Sequence, residues 1–202
     1  MKRLLLLCIC VVASFSLNGQ TSNVIYRNQP HPSSTIRNVL FENADRLSKQ
    51  ERHELATIIR RNGESTDRVL ASAQELIRKA CQDEGYFKAK VNAAVEPVQS
   101  NTDGRQFDIV VKVLDYGTQY RLQEIHFINA KAFSEEELVK LIPIQPGEVF
   151  SRARIAKGLE ALQQHYQAAG YVNITYIPNT EFDESNATAR LDIDVDEGNV
   201  FR

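Results

Sequence analysis

The groups in this chain able to do chemistry are few and scattered. His31, His53, His126 and His165 lie far apart, with no pair at metal-ligand spacing and no cysteine joining them. Each reads as a surface or partly packed residue. Cys81 falls on a helical stripe with Leu70 and Ile77, where a catalytic thiol would need a histidine partner and exposure. It reads as a small packed hydrophobe. Glu135, Glu136 and Glu137 follow Ser134 and read as first-turn charge facing a helix dipole. Asp192, Asp194, Asp196 and Glu197 form one acidic edge and read as a solvated strand face. There is no G-x-S-x-G and no glycine-rich phosphate loop. No metal, cofactor or small-molecule substrate is expected. An enzyme working through Cys81 or an acidic pair has no second group placed to help it.

The elements that position these residues set the function class instead. The 202 residues carry a net charge of −2 and are 43% hydrophobic, with no tryptophan. Residues 34–120 hold 13 basic and 13 acidic groups, and residues 121–202 hold 8 and 13. That is no footprint for nucleic acid. Met1-Lys2-Arg3, then an apolar run from Leu4 to Phe15, then small residues up to Gly19, have the layout of a secretory signal peptide over 1–19. An uncleaved anchor is the competing reading, although the run falls short of the roughly 20 residues that span a bilayer. Residues 20–33, with Pro30-His31-Pro32, read as a flexible lead-in. Beyond the leader Cys81 is the one cysteine, so packing and not disulfides must hold the exported chain together.

The rest of the chain says one thing twice. Gly85-Tyr86-Phe87 recurs as Gly170-Tyr171-Val172, Leu47-Ser48 as Phe133-Ser134, and Phe41 as Phe127, at offsets of 85 or 86 residues. A constant offset means two copies of one module, spanning 34–120 and 121–202. In the second copy Leu122–Ile128 reads as a strand. Ser134 and Glu137 form a capping box before a short helix that ends ahead of Pro143. Ser151 caps a longer helix with an apolar stripe at Ile155, Leu159, Leu162 and Tyr166. Gly170 ends that helix. Tyr171–Ile177 reads as a strand stopped by Pro178, Asn179–Asn186 as a hairpin loop, and Thr188–Asp196 as a half-exposed strand. In the first copy the elements are Ile36–Phe41, a helix capped by Ser48 and Glu51 and lined by Leu55, Ile58 and Ile59, a helix over Thr66–Glu84, and a hairpin of Phe87–Val98 with Gln106–Leu114. Val113 stands four before Gly117, whereas Val195 stands three before Gly198. The extra residue predicts a β-bulge. The fold class is α+β: two β-α-α-β-β modules, each a three-stranded sheet with helices on one face and water on the other. The lack of any linker around Tyr120-Arg121-Leu122 predicts a semi-rigid tandem.

Phe127-x-Asn129, Phe133-Ser134-x-x-x-Leu138, Gly147-x-x-Phe150-Ser151, Tyr166-x-x-x-Gly170-Tyr171 and Val195-x-Glu197-Gly198 together resemble a POTRA domain, the periplasmic module of outer-membrane assembly and secretion proteins such as BamA and TamA. Residues 35–121 resemble a diverged copy, closed by Asp115-Tyr116-Gly117 without the usual Glu. The resemblance implies a mixed sheet with the strand after the long helix at its edge. There an extended polypeptide adds as a further strand, because an open edge offers unpaired N–H and C=O groups. Those edges would be Val172, Asn173, Ile174, Thr175, Tyr176 and Ile177 in one copy. In the other they would be Phe87 to Val95, beginning Phe87, Lys88, Ala89, Lys90 and Val91. A merely solvated edge is the competing reading. The resemblance further implies periplasmic residence at the outer membrane and extended polypeptides, β-barrel proteins or a separate barrel subunit as partners. Family members continue into a membrane barrel; after the second module this sequence shows no barrel strands and alone would form no pore. The alternative function is a free-standing scaffold, or the arm of a split or truncated transporter.

Overall fold

The computed structural model describes residues 35–61, 66–98 and 106–199. The predicted leader, the lead-in, the first hairpin tip at Thr102-Asp103-Gly104 and Phe201-Arg202 lie outside these residues. The first module runs β1 (Thr35–Glu42), α1 (Lys49–Arg61), α2 (Thr66–Asp83), β2 (Lys90–Pro97) and β3 (Gln106–Asp115). The second runs β4 (Arg121–Ile128), α3 (Glu135–Val139), α4 (Arg152–Ala168), β5 (Thr175–Asp183) and β6 (Thr188–Asp196). Each forms a three-stranded sheet, ordered β1-β3-β2 and β4-β6-β5. The outer first strand is parallel to the central one and the hairpin is antiparallel. The two helices carry the chain from the first strand to the far edge, and the hairpin then returns the third strand between the other two, parallel to the first.

The helix ends follow from local chemistry. Ser48 Oγ accepts from Glu51 N at 3.2 Å and Glu51 Oε2 accepts from Ser48 N at 2.7 Å, a complete capping box. At α3 only half of the box forms. Ser134 accepts from Glu137 N, while the Glu137 carboxylate lies 3.2 Å from His165 Nε2 on α4. Both long helices close on a left-handed glycine. Gly85 N and Tyr86 N donate to Gln82 O and Cys81 O, and Gly170 N and Tyr171 N donate to Gln167 O and Tyr166 O. One core gathers Ile59, Ile77, Cys81, Ile109 and Val111, the other Leu122, Leu162, Tyr166, Leu191 and Ile193. In the second module α4 presses on the chain at Ile142. A Cβ at Gly158 would lie 2.6 Å from Ile142 Cδ1 and 2.8 Å from its Cα.

The predicted bulge is present. Lys90 pairs with Asp115 and Val91 with Val113, leaving Leu114 unopposed and exposed. Three expectations are corrected. β5 does not stop at Pro178 but passes through it to Asp183, because an edge strand tolerates a residue with no N–H to give. β2 begins at Lys90, since Tyr86–Ala89 closes a turn in which Ala89 N donates to Tyr86 O. Ile58 is exposed, and Ala56 with Ile59 forms the buried stripe of α1.

Candidate functional site

The strand after the long helix lies at the sheet edge in both modules. Among the described residues nothing pairs with the outer side of β2 or β5. In the second module the opposite edge differs: beside β4, Leu122 N donates to Glu148 O, Gly147 N to Leu122 O and Phe150 N to Tyr120 O. On β2 the helix-side residues Val91 and Val95 are half-buried against the core, while Ala94 and Glu96 are exposed. Asn92 reaches α2, its Oδ1 accepting from Gln74 Nε2 at 3.3 Å.

The predicted edge residues divide in two. Lys90 and Val91 stand on β2, and Thr175, Tyr176 and Ile177 on β5. Val172 and Asn173 are in the turn before β5, and Ile174 precedes the strand as a buried residue. Phe87 and Lys88 are in the turn before β2, and Ala89 is buried.

Phe87 and Lys88 belong to a joint between the modules. The Phe87 ring packs against Phe150 and Phe182, with centroids at 5.0 and 5.4 Å, and Tyr120 stacks on Phe182 at 4.5 Å. Lys88 ion-pairs with Glu184, and its ammonium lies 5.7 and 5.6 Å from the Tyr120 and Phe182 ring centres. Asp83, at the end of α2, accepts from Ala153 N at 2.8 Å and so caps the first turn of α4 together with Ser151. Tyr120 N donates to Gly85 O at 3.0 Å. A Cβ at Gly85 would meet Val149 Cγ1 at 2.9 Å, which makes this glycine a requirement of the joint as well as of the helix end. Each copy read separately gave no sign of these contacts.

The acidic edge also changes meaning. Asp192 and Asp194 are strand-face groups, paired with Arg190 and Asn129. Glu197 is a clasp: its Oε1 accepts from Lys131 N at 2.6 Å, Ala132 N at 2.8 Å and the buried Tyr166 hydroxyl at 3.1 Å. Burial opposes its charge, but these three donors outweigh burial and hold its pKa below the ordinary value. Burial, with the Glu197 carboxylate, pushes the Tyr166 phenol up. In the first module Tyr116 stands where Glu197 stands, and its hydroxyl accepts from Arg46 N at 3.4 Å, the counterpart of Ala132 N. Cys81 stands where Tyr166 stands. The Tyr116 ring lies against Tyr86 at 5.1 Å and against the core that Cys81 joins. One copy fills this place from the helix, the other from the closing turn.

Burial pushes the Cys81 thiol up to about 11, so its reactive thiolate is suppressed at neutral pH. His126 Nδ1 lies 3.0 Å from Glu135 and Nε2 3.4 Å from Glu124, its two ring nitrogens facing different carboxylates. Among the described residues no three His, Cys, Asp or Glu side chains are grouped to hold a metal ion.

The comparisons with known proteins agree with this architecture. The family model for POTRA, described as a surface antigen variable number repeat, matches residues 34–114 and 120–198. The outer membrane protein assembly factor BamA of Buchnera aphidicola is 28% identical over 113 residues, which is 55% of this chain and 18% of that protein. The chain thus spans under a fifth of that relative. The crystal structure of POTRA3-5 of Haemophilus influenzae BamA superposes with a TM-score of 0.58 at 18% identity, over 83% of this chain and 67% of that one. BamA from Haemophilus ducreyi lacking POTRA domains 1-3 gives 0.54 at 16% identity, over 84% and 30%. At these identities the structural likeness is one of fold. Matched twice and over most of its length, the chain is a tandem pair of POTRA domains and belongs to that family.

Proposed function

We propose that this tandem is a non-enzymatic polypeptide-binding arm, resident in the periplasm, that serves the assembly or translocation of outer-membrane proteins. Its partners are extended polypeptides, β-barrel proteins or a barrel subunit, taken up as an added strand at a sheet edge. One observation carries the reading: each three-stranded sheet ends on a strand whose outer side is unpaired among the described residues. Such an edge binds by main-chain hydrogen bonds and selects through alternate side chains. The similarity to an assembly factor supports the setting. Titrating the ¹⁵N-labelled chain with extended segments of a β-barrel protein should move the amides of 90–97 or 175–183. If neither strand responds, strand addition is refuted.

The joint favours a second reading, a scaffold that holds two modules at a set angle. Capping of α4 by Asp83 and the seating of Phe87 fix that angle without any ligand. A partner that binds away from both edges, and is lost when the joint is broken, would support the scaffold over strand addition.

A further inference from the structure

We infer that only the first module receives a strand, along Val91–Val95 of β2, and that the strand it takes alternates apolar and polar side chains. This rests on the strand-addition reading and narrows it.

The two edges are unequal copies. In an antiparallel pair, residues alternate between exchanging hydrogen bonds with the neighbour and pointing N–H and C=O away from it. A proline within a paired strand fits where the missing N–H would point away. Pro178 sits in the middle of β5, opposite Ile193. It therefore marks Tyr176, Pro178, Thr180 and Phe182 as the outward set and deletes a donor from the middle of it. Proline at such a place is one of the ways proteins close an edge to added strands. On β2 the proline is Pro97, at the strand's end and opposite Phe107. By the same rule Val91, Ala93 and Val95 point outward, and their row of donors and acceptors is unbroken.

The side chains agree with the backbone. On the helix side an incoming strand lies next to Val91 and Val95, which are half-buried and keep apolar surface in water. On the open side it lies next to Ala94 and Glu96, both exposed. Apolar residues on one face and polar residues on the other are the period-2 pattern of a barrel strand. The Asn92–Gln74 contact lies over this edge and is exposed, so displacing it costs little. β5 shares only part of this pattern. Tyr176 and Phe182 are half-buried on its helix side, but Pro178 and Thr180 stand between them, and Ile177, 70% exposed, lies on the open face opposite Asp194.

The test is an NMR titration of the full chain with acetyl-Lys-Val-Thr-Val-Thr-Val-Lys-amide and with an isomer in which the three valines are contiguous. The alternating peptide should shift and protect Val91, Ala93 and Val95, and the isomer should bind more weakly. Val95→Pro moves the defect of β5 onto β2 and should weaken binding about five- to tenfold, the effect of roughly one hydrogen bond. Pro178→Thr should add shifts over Tyr176–Phe182. Should Val95→Pro fail to fold, Pro178→Thr still decides the point. Wild-type shifts on β5 as large as those on β2, or equal binding of the isomer, would overturn this inference while leaving strand addition standing. No shift at either edge in any variant would overturn strand addition itself.

Discussion

Replacing Glu197 with alanine tests the energetics of the closing turn. The change removes one carboxylate and strands three donors: Lys131 N, Ala132 N and the Tyr166 hydroxyl. Water can reach the exposed loop amides, so their loss is small. The Tyr166 side chain is fully buried, and a buried donor left unpaired costs about 1–3 kcal/mol, with a charged acceptor at the upper end. Adding the loosened loop, Glu197→Ala should cost about 3 kcal/mol. Tyr166→Phe removes the hydroxyl but leaves its ring packed against Phe133 and Tyr171, so about 1–1.5 kcal/mol is expected. Glu197→Gln keeps one acceptor oxygen and should fall near 1 kcal/mol. The two residues share a bond, so the double variant should cost about 1 kcal/mol less than the sum of the singles. Urea unfolding of the full chain, followed by circular dichroism and by hydrogen exchange at Leu191 and Ile193, separates the second module from the first. With a slope of about 2 kcal/mol per molar, the midpoint of Glu197→Ala should drop by roughly 1.5 M. Additive singles, or Glu197→Ala unfolding at the wild-type midpoint, would refute the clasp.

Phe87→Ala should cost about 2 kcal/mol, below the range for a fully buried phenylalanine because this one is half-buried. It should also broaden the inter-module angle in residual dipolar couplings while each module's amide pattern survives. Gly158→Ala gains about 1 kcal/mol of helix propensity, yet its Cβ would fall 2.8 Å from a backbone atom of Ile142. Overpacking costs about 1–3 kcal/mol, so thermal melts should show net destabilisation. His126 gains a hydrogen bond to Glu135 and the charge of Glu124, which raise its pKa. Its contribution is therefore full below the ordinary histidine pKa and is lost as pH rises through the raised one. Because the ring is half exposed the effect is about 0.5 kcal/mol, and His126→Gln should flatten stability measured from pH 5.5 to 8.

What was legible in the sequence was what local chemistry decides. Ser48 with Glu51 and the glycines at 85 and 170 place helix ends through bonds to near neighbours. The extra residue after Val113 predicted the bulge at Leu114, because strand register counts residues. What was not legible depends on distant parts of the chain. Pro178 reads as a stop unless the strand is known to lie at an edge. Phe87 reads as strand until Phe150 and Phe182 of the other module are beside it. Glu197 reads as one more member of the acidic edge beside Asp192, Asp194 and Asp196, but the strand ends at Asp196 and the next residue turns back toward Tyr166.

The signal that would have revealed Glu197 was present as a difference between the copies. Where the second has Tyr166 and Glu197, the first has Cys81 and Tyr116. A carboxylate in that turn needs a buried donor from the helix, and a cysteine is a weak one. With the phenol gone from the helix, the space is filled by a ring from the turn, whose hydroxyl still reaches the matching amide, Arg46 N. The two positions are thus one unit, and changing either alone should be worse than changing both. Tyr116→Glu should destabilise the first module by losing the ring contact with Tyr86 and placing a carboxylate beside an inadequate donor. Adding Cys81→Tyr should recover about 1 kcal/mol of that loss, the size of one hydrogen bond. If the double variant is no more stable than Tyr116→Glu, the exchange between the copies is coincidence and not compensation.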